Sequence, residues 1–141
     1  MIVLDTNVIS EALSRSPSPA VMDWLHQQDP SSLCLTAVTV TELAYGIALL
    51  PDGARRTDLS SAWERLQESW ADRVLSIGAD EAEVAGALLA ARRRVGRPMT
   101  LADALIAGVC VTHGFVLATR NVRDFADTPV SLVNPWDSQT V

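Results

Sequence analysis

The chain has 141 residues, 48% of them hydrophobic, enough to bury a substantial core as one domain spanning 1–141, and no stretch reads as a linker that would divide it. Its 11 basic and 17 acidic residues give a formal net charge of −6, which excludes attraction of nucleic acid through overall charge and leaves that task to local arginines or a bound cation. The longest apolar run, 104–112, is too short for a bilayer core of ~30 Å, and the first residues read as core strand rather than signal peptide, so a cytoplasmic protein with no membrane attachment is expected.

The apolar residues up to Leu4 predict a short strand buried on both faces, ended by Asp5-Thr6-Asn7. Asp5 then leaves the strand's carboxyl end, the edge where open parallel sheets bind ligands, although Asp5 or Asn7 serves equally well as a cap for a helix beginning at Val8. That helix is expected to end at the Ser16-Pro17-Ser18-Pro19 cluster. A second helix over 20–28 carries Val21, Met22, Trp24 and Leu25, leaves His26 exposed, and stops before Asp29-Pro30. Leu33 to Thr36 reads as the second strand. It leads into a helix over 38–47, where Thr39 and Glu42 stand three apart, so that a capping acid and a cation-facing acid look alike.

After the turn at Leu50-Pro51-Asp52-Gly53, the pattern predicts one long helix over 55–74. Leu59, Trp63, Leu66 and Trp70 form a stripe along it that fits either the core or a contact with a second copy or another protein. Asp80-Glu81 opens another helix that runs through Arg92, Arg93 and Arg94 to Gly96, with acids first and bases last as the helix dipole favours. With Arg97 these arginines also make the densest positive patch of the chain, suited to phosphate contact. Thr100 to Val111 is the most apolar helix and Asp103 its only charge. That acid is either capped through Thr100 or paired with something positive, because a lone buried carboxylate is costly. His113-Gly114 ends the helix, with His113 read as terminal and solvent-facing. Phe115 to Ala118 is a third buried strand, Thr119-Arg120-Asn121 breaks it, 122–125 is a short helical turn, and Val130 to Val133 is a last strand before a polar tail around Trp136. Strands alternating with helices predict the α/β class with a mostly parallel sheet. Cys34 and Cys110, both in apolar runs, read as free buried thiols suited to a reducing compartment.

Asp5, Glu42, Asp103 and Asp124 each have a local explanation, yet all four fall at strand ends or at the starts of helices that follow strands. In a doubly wound sheet such positions converge on one edge. Four carboxylates gathered there raise one another's pKa values unless a cation joins them, and magnesium or manganese, which prefer oxygen ligands, suit the place.

The ordered set Val3-Leu4-Asp5-Thr6-Asn7, Thr41-Glu42, Gly96-Arg97-Pro98 before Ala102-Asp103-Ala104-Leu105-Ile106-Ala107, and Thr119-Arg120-Asn121 with Asp124-Phe125 resembles the PIN-domain family. Within it, the likeness is to VapC-type toxin ribonucleases of type II toxin–antitoxin systems, near the FitB-like branch. The resemblance covers essentially the whole chain. It implies a three-layer α/β/α sandwich, a Mg2+-dependent endoribonuclease (Mn2+ being an alternative ion), a homodimer, and a cognate antitoxin seated in the active-site groove. It places the principal ion on Asp5 and Asp103, with Glu42 and Asp124 acting directly or through waters; Asn121 is the substitute for Asp124, since the family's fourth acid varies in position. Such an ion activates water against an RNA phosphodiester. Thr6, Asn7, Thr119 and Asn121 then hold waters or orient the acids, while Arg120, Arg97 and the 92–94 cluster meet RNA phosphates.

Two other readings start from the same residues. A phosphatase with Asp5 as nucleophile wants a second acid two residues on and a phosphate-binding lysine, but Asn7 stands there and the chain has no lysine. A catalytically silent module binding RNA or a protein through the groove leaves four carboxylates without purpose.

Overall fold

Neighbouring side chains of a strand point to opposite faces, so a strand apolar in both directions needs a covering layer on each side. The computed structural model, which describes residues 1–137, supplies both layers. In β1 (Ile2–Leu4), Val3 joins a core with Cys34, Leu88, Ile106, Cys110, Leu117 and Phe125, whereas Leu4 joins a second core with Val8, Trp24, Leu35, Leu43 and Trp63. The same division separates Cys34 from Leu33 and Leu35 in β2 (Leu33–Thr36), and Leu117 from Ala118 in β4 (Val116–Ala118). Each large apolar side chain buried in this way contributes about 1.5–3 kcal/mol.

With β3 (Val74–Leu75) and β5 (Ser131–Val133), these strands form one parallel sheet in the order β3-β2-β1-β4-β5. Helices α1 (Thr6–Ala12), α2 (Pro19–Gln27), α3 (Ala37–Ala48) and α4 (Ala54–Ser69) contribute chiefly to the Leu4 core, and α5 (Ala79–Arg94) and α6 (Leu101–His113) to the Val3 core. The fold is therefore the α/β/α sandwich expected from the sequence. From β1 the chain builds outward to β3, then returns to lay β4 on the other side of β1. That reversal opens a crevice above the tips of β1 and β4.

Several expected elements take a different form. The helix expected over 55–74 ends at Ser69; Trp70 closes it, one tight turn follows at Ala71–Arg73, and Val74 and Leu75 pair with Leu35 and Thr36 as edge strand β3. A two-residue strand is too short to leave an alternation in the sequence. The stripe on α4 packs on the core, with Trp63 buried and Leu59, Leu66 and Trp70 half-buried against the same cluster. The first helix does end ahead of the Ser16-Pro17-Ser18-Pro19 cluster, and Pro19 itself begins α2, one residue before the expected start, because the first helical position needs no N–H. His113 is not simply solvent-facing: its Nε2 lies 2.8 Å from Glu81 Oε1 and its ring stacks on Phe115. Cys34 and Cys110 are free and buried, and burial pushes their thiols up to about 11 and about 12, as befits packing groups.

Helices α5 and α6 pack closely because Gly108 has no side chain. A Cβ built there would press into the backbone carbonyl of Glu81 and touch Ala85. Gly108→Ala is expected to lower stability by about 1–3 kcal/mol despite alanine's better helix propensity, measured as the thermal unfolding midpoint; a stabilised variant would show that the two helices separate easily.

Candidate active site

The first residue beyond β1 is Asp5, and the first beyond β4 is Thr119. Both extend the parallel ladder, Asp5 N donating to Ala118 O at 3.0 Å and Thr119 N to Val133 O at 2.9 Å. Their side chains meet in the crevice, where the Thr119 hydroxyl, fully buried, donates to Asp5 Oδ2 at 2.7 Å. Asn7 Nδ2 donates to the same oxygen at 3.0 Å, and the Thr6 amide donates to Oδ1 at 2.8 Å. Asp5 is thus both the cap of α1 and a fixed carboxylate 5% exposed, and the two sequence readings of it hold together. Oδ1, with one hydrogen bond, keeps a lone pair for another partner.

Asn7 and Thr119 also fix the strand tips to each other. Asn7 Oδ1 accepts from Arg120 N at 3.2 Å, and Thr119 Oγ1 accepts from Asn121 N at 3.0 Å. The polar break after each strand forms one network.

The capping role open to Glu42 in the sequence belongs elsewhere. Thr36 caps α3 by accepting from the Thr39 amide, and Thr39 is buried. Glu42, one turn further on, accepts from the Thr6 hydroxyl at 2.7 Å through Oε1. Helix α3 therefore delivers a carboxylate to the residue beside Asp5.

Asp103 stands in the first turn of α6, where Thr100 Oγ1 accepts its backbone N–H at 3.1 Å. Burial raises its carboxyl above the ordinary aspartate value, and the charges of Asp5, Asp124 and Glu42 push the same way, offset in part by Thr100. The charges of Asp5, Glu42 and Asp124 thus all reach Asp103, although the chain brings the four acids from four separate segments.

Asp124 lies exposed in the turn Val122–Phe125 with no side-chain hydrogen bond among the described residues. Asn121, the other candidate for its place, is exposed and uses its backbone N–H on Thr119, and it brings no charge toward Asp103. Arg120 extends over the Trp136 ring, 5.3 Å from its centroid, and with Asn121, Arg123 and Asp124 lines a cleft of about 260 Å³. Arg97 pairs with Asp127 Oδ2 at 2.7 Å. Arg93 and Arg94 are exposed, but Arg92 is 4% exposed and bonded to backbone carbonyls, which removes it from any phosphate-binding patch.

The donor set is all oxygen and includes a half-buried carboxyl whose pKa is raised by burial and by neighbouring negative charge, which fits a hard divalent cation. Among the described residues no three acidic, histidine or cysteine side chains are gathered tightly enough to enclose an ion where they stand. They share an edge rather than a cage, an arrangement suited to an ion that keeps several waters.

The sequence reading missed two features. A cavity of about 690 Å³ between α1, α3 and α4 reaches Thr6 and Glu42 and is walled by Leu13, Leu43, Ile47 and Leu59. It draws on three helices, so no local pattern announces it. The burial of Arg92 did have a signal: Ala85, Leu88 and Arg92 follow at helical spacing along the buried side of α5.

The PIN domain family model matches residues 2–130. The chain is a PIN-domain protein. Over 139 residues this PIN domain is 40% identical to the plasmid stability protein StbB of Pseudomonas syringae pv. tomato, covering 98% of the chain and all of the relative. It is 39% identical to the VapC ribonuclease Y4jK of Sinorhizobium fredii, over 97% and 99% of the two chains. Among solved structures it resembles a chain of FitAB bound to the IR36 DNA fragment, with a TM-score of 0.92, 32% identity and 99% of both chains covered.

Because the folded carboxyl of Asp103 has a raised pKa, the folded PIN domain binds that proton more readily than the unfolded chain does. Stability therefore falls as pH rises through the window above 3.8, and at pH 7 the ionised group costs stability. Asp103→Asn is expected to raise the unfolding midpoint at pH 7 in chelator, the gain shrinking toward pH 4. An unchanged or lowered midpoint at pH 7 would contradict the electrostatic account.

Proposed function

We propose that this PIN domain is the toxin of a type II toxin–antitoxin system, acting in the cytoplasm as a Mg2+-dependent endoribonuclease, with Mn2+ as an alternative ion. The observation that carries the reading is the crevice at the carboxyl edge of the sheet, where Thr119 and Asn7 hold the Asp5 carboxylate and Thr6 holds that of Glu42, with Asp103 near enough to feel the charges of Asp5, Glu42 and Asp124. The names of two relatives, the VapC ribonuclease and, at 35% identity, the toxin FitB of Neisseria gonorrhoeae, support it, as does the likeness to the FitAB and FitAcB structures.

In this reading Asp5 and Asp103 hold the ion, with Glu42 and Asp124 joining directly or through waters. When bound, the ion supplies a lowered pKa for water and neutralises charge on a phosphodiester. The protein's part is to keep the oxygens aimed. Thr119 and Asn7 hold Asp5, and Thr6 holds Glu42, so neither carboxylate turns away when RNA approaches. Arg120 supplies positive charge at the rim of an acidic protein. Its guanidinium lies over Trp136 and has no carboxylate partner among the described residues, leaving its donors for phosphate.

The cavity between α1, α3 and α4 supports the cognate antitoxin as partner. Leu13, Leu43, Ile47 and Leu59 give it an apolar lining that Arg15, Arg55 and Asp58 make partly charged, and it includes Thr6 and Glu42, so a segment lying in it would reach the acid edge. Tyr45 and Leu49, each 66% exposed, continue the apolar surface on α3. The homodimer rests on the resemblance together with further exposed apolar residues, Val95 and Leu101. Among the described residues no helix is long and apolar enough to cross a membrane.

Purified protein is expected to cut a pool of structured cellular RNAs into discrete fragments with Mg2+ or Mn2+, to stop in chelator, and to lose at least a hundredfold in rate in Asp5→Asn and Asp103→Asn, roughly the scale of removing one electrostatic contribution to a transition state. A fully active, folded Asp103→Asn protein would overturn the reading. Arg120→Ala is expected to weaken RNA binding and to flatten its dependence on salt by about one unit of the log–log slope. An unaltered slope would return Arg120 to a structural role.

A further inference from the structure

Arg92 is a buried cation without a counter-carboxylate among the described residues. Desolvating a guanidinium is expensive unless its donors find acceptors, and here backbone carbonyls serve Nε and Nη1. Nε donates to Arg97 O at 2.6 Å, and Nη1 donates to Asp124 O at 2.9 Å and to Ala126 O at 2.5 Å. The acceptors belong to two irregular segments, the connection after α5 and the loop between β4 and β5. Arg97 links the same two segments again through Asp127, a residue in the left-handed region at φ 60°.

This clamp sits directly behind the fourth acid. The Asp124 side chain has no hydrogen bond among the described residues, so its place depends on its backbone. That backbone is fixed by Asp124 N donating to Asn121 O, by the buried ring of Phe125, and by the Arg92 bonds to the carbonyls of residues 124 and 126. A lysine ammonium at the same position is a point donor. It cannot reach Arg97 O on one side and the 124–126 carbonyls on the other, as the two ends of a planar guanidinium do.

We propose that Arg92 is a positioning residue for the active site: its guanidinium ties the carbonyls of Arg97, Asp124 and Ala126 together and thereby holds the Asp124 carboxylate at the acid edge. The proposal rests on the reading of that edge as a divalent-cation site.

The test compares the full-length wild type with Arg92→Lys, Asp124→Asn and the double variant, using Mn2+ alone as probe in a calorimetric titration. Arg92→Lys is expected to weaken Mn2+ binding by the same factor as Asp124→Asn, on the order of tenfold. The double variant is expected to bind no more weakly than Asp124→Asn, because both changes remove the same contribution. Amide exchange in Arg92→Lys is expected to accelerate at 121–127 and not in α1 or α3. If Arg92→Lys does not fold, the wild type still decides: adding Mg2+ is expected to slow exchange of the Arg92 Nε proton together with the 121–127 amides, and no effect on that proton would overturn the proposal. Wild-type affinity in Arg92→Lys while Asp124→Asn binds weakly, or factors that multiply in the double variant, would overturn it and leave the metal site standing. Absence of Mn2+ binding by the wild type would defeat the metal reading and this proposal together.

Discussion

The contact on which the site depends is the one between the tips of β1 and β4, where the buried Thr119 hydroxyl donates to Asp5. It exists because the chain reverses its direction of sheet growth between these strands, which opens a crevice above their tips. A carboxylate 5% exposed would be costly there without donors. Asn7, the Thr6 amide and Thr119 provide them, and they also set the direction of the remaining lone pair. Glu42 is then placed through Thr6, and Asn121 and Arg120 through Thr119 and Asn7.

Around this lock the charges are arranged by segment rather than by overall balance. A chain of net charge −6 places four acids at one edge and surrounds that edge with arginines that have different duties. Arg92 is spent internally, Arg97 is paired, and Arg120 stacks on Trp136. Such an edge repels a phosphate backbone when bare and accepts one when a cation is present, so metal and RNA are thermodynamically linked in the proposed activity.

The sequence was informative wherever chemistry and period coincide. Runs such as Val3-Leu4 and Leu117-Ala118, followed at once by polar residues, marked buried strands and the ends that carry the site, and the order of the acids was enough to point to the PIN family. What could not be read depends on distant contacts. Whether Glu42 capped its own helix was undecidable until Thr36 was seen in that role and Thr6 was seen on Glu42. Edge strand β3 has two residues and no period, and its pairing with β2 alone defines it. Arg92 looked like one more surface arginine of a basic cluster, although its spacing from Ala85 and Leu88 placed it on the buried side of α5.

The central claim is that the carboxyl edge of the sheet is one divalent-cation site in which Asp5 and Asp103 are principal ligands. Anomalous diffraction from crystals grown with Mn2+ tests it most directly. The account predicts a peak in the crevice above β1 and β4, between the carboxylates of Asp5 and Asp103, that disappears in Asp103→Asn crystals. Mn2+ bound only elsewhere, or a peak that survives unchanged in Asp103→Asn, would contradict it.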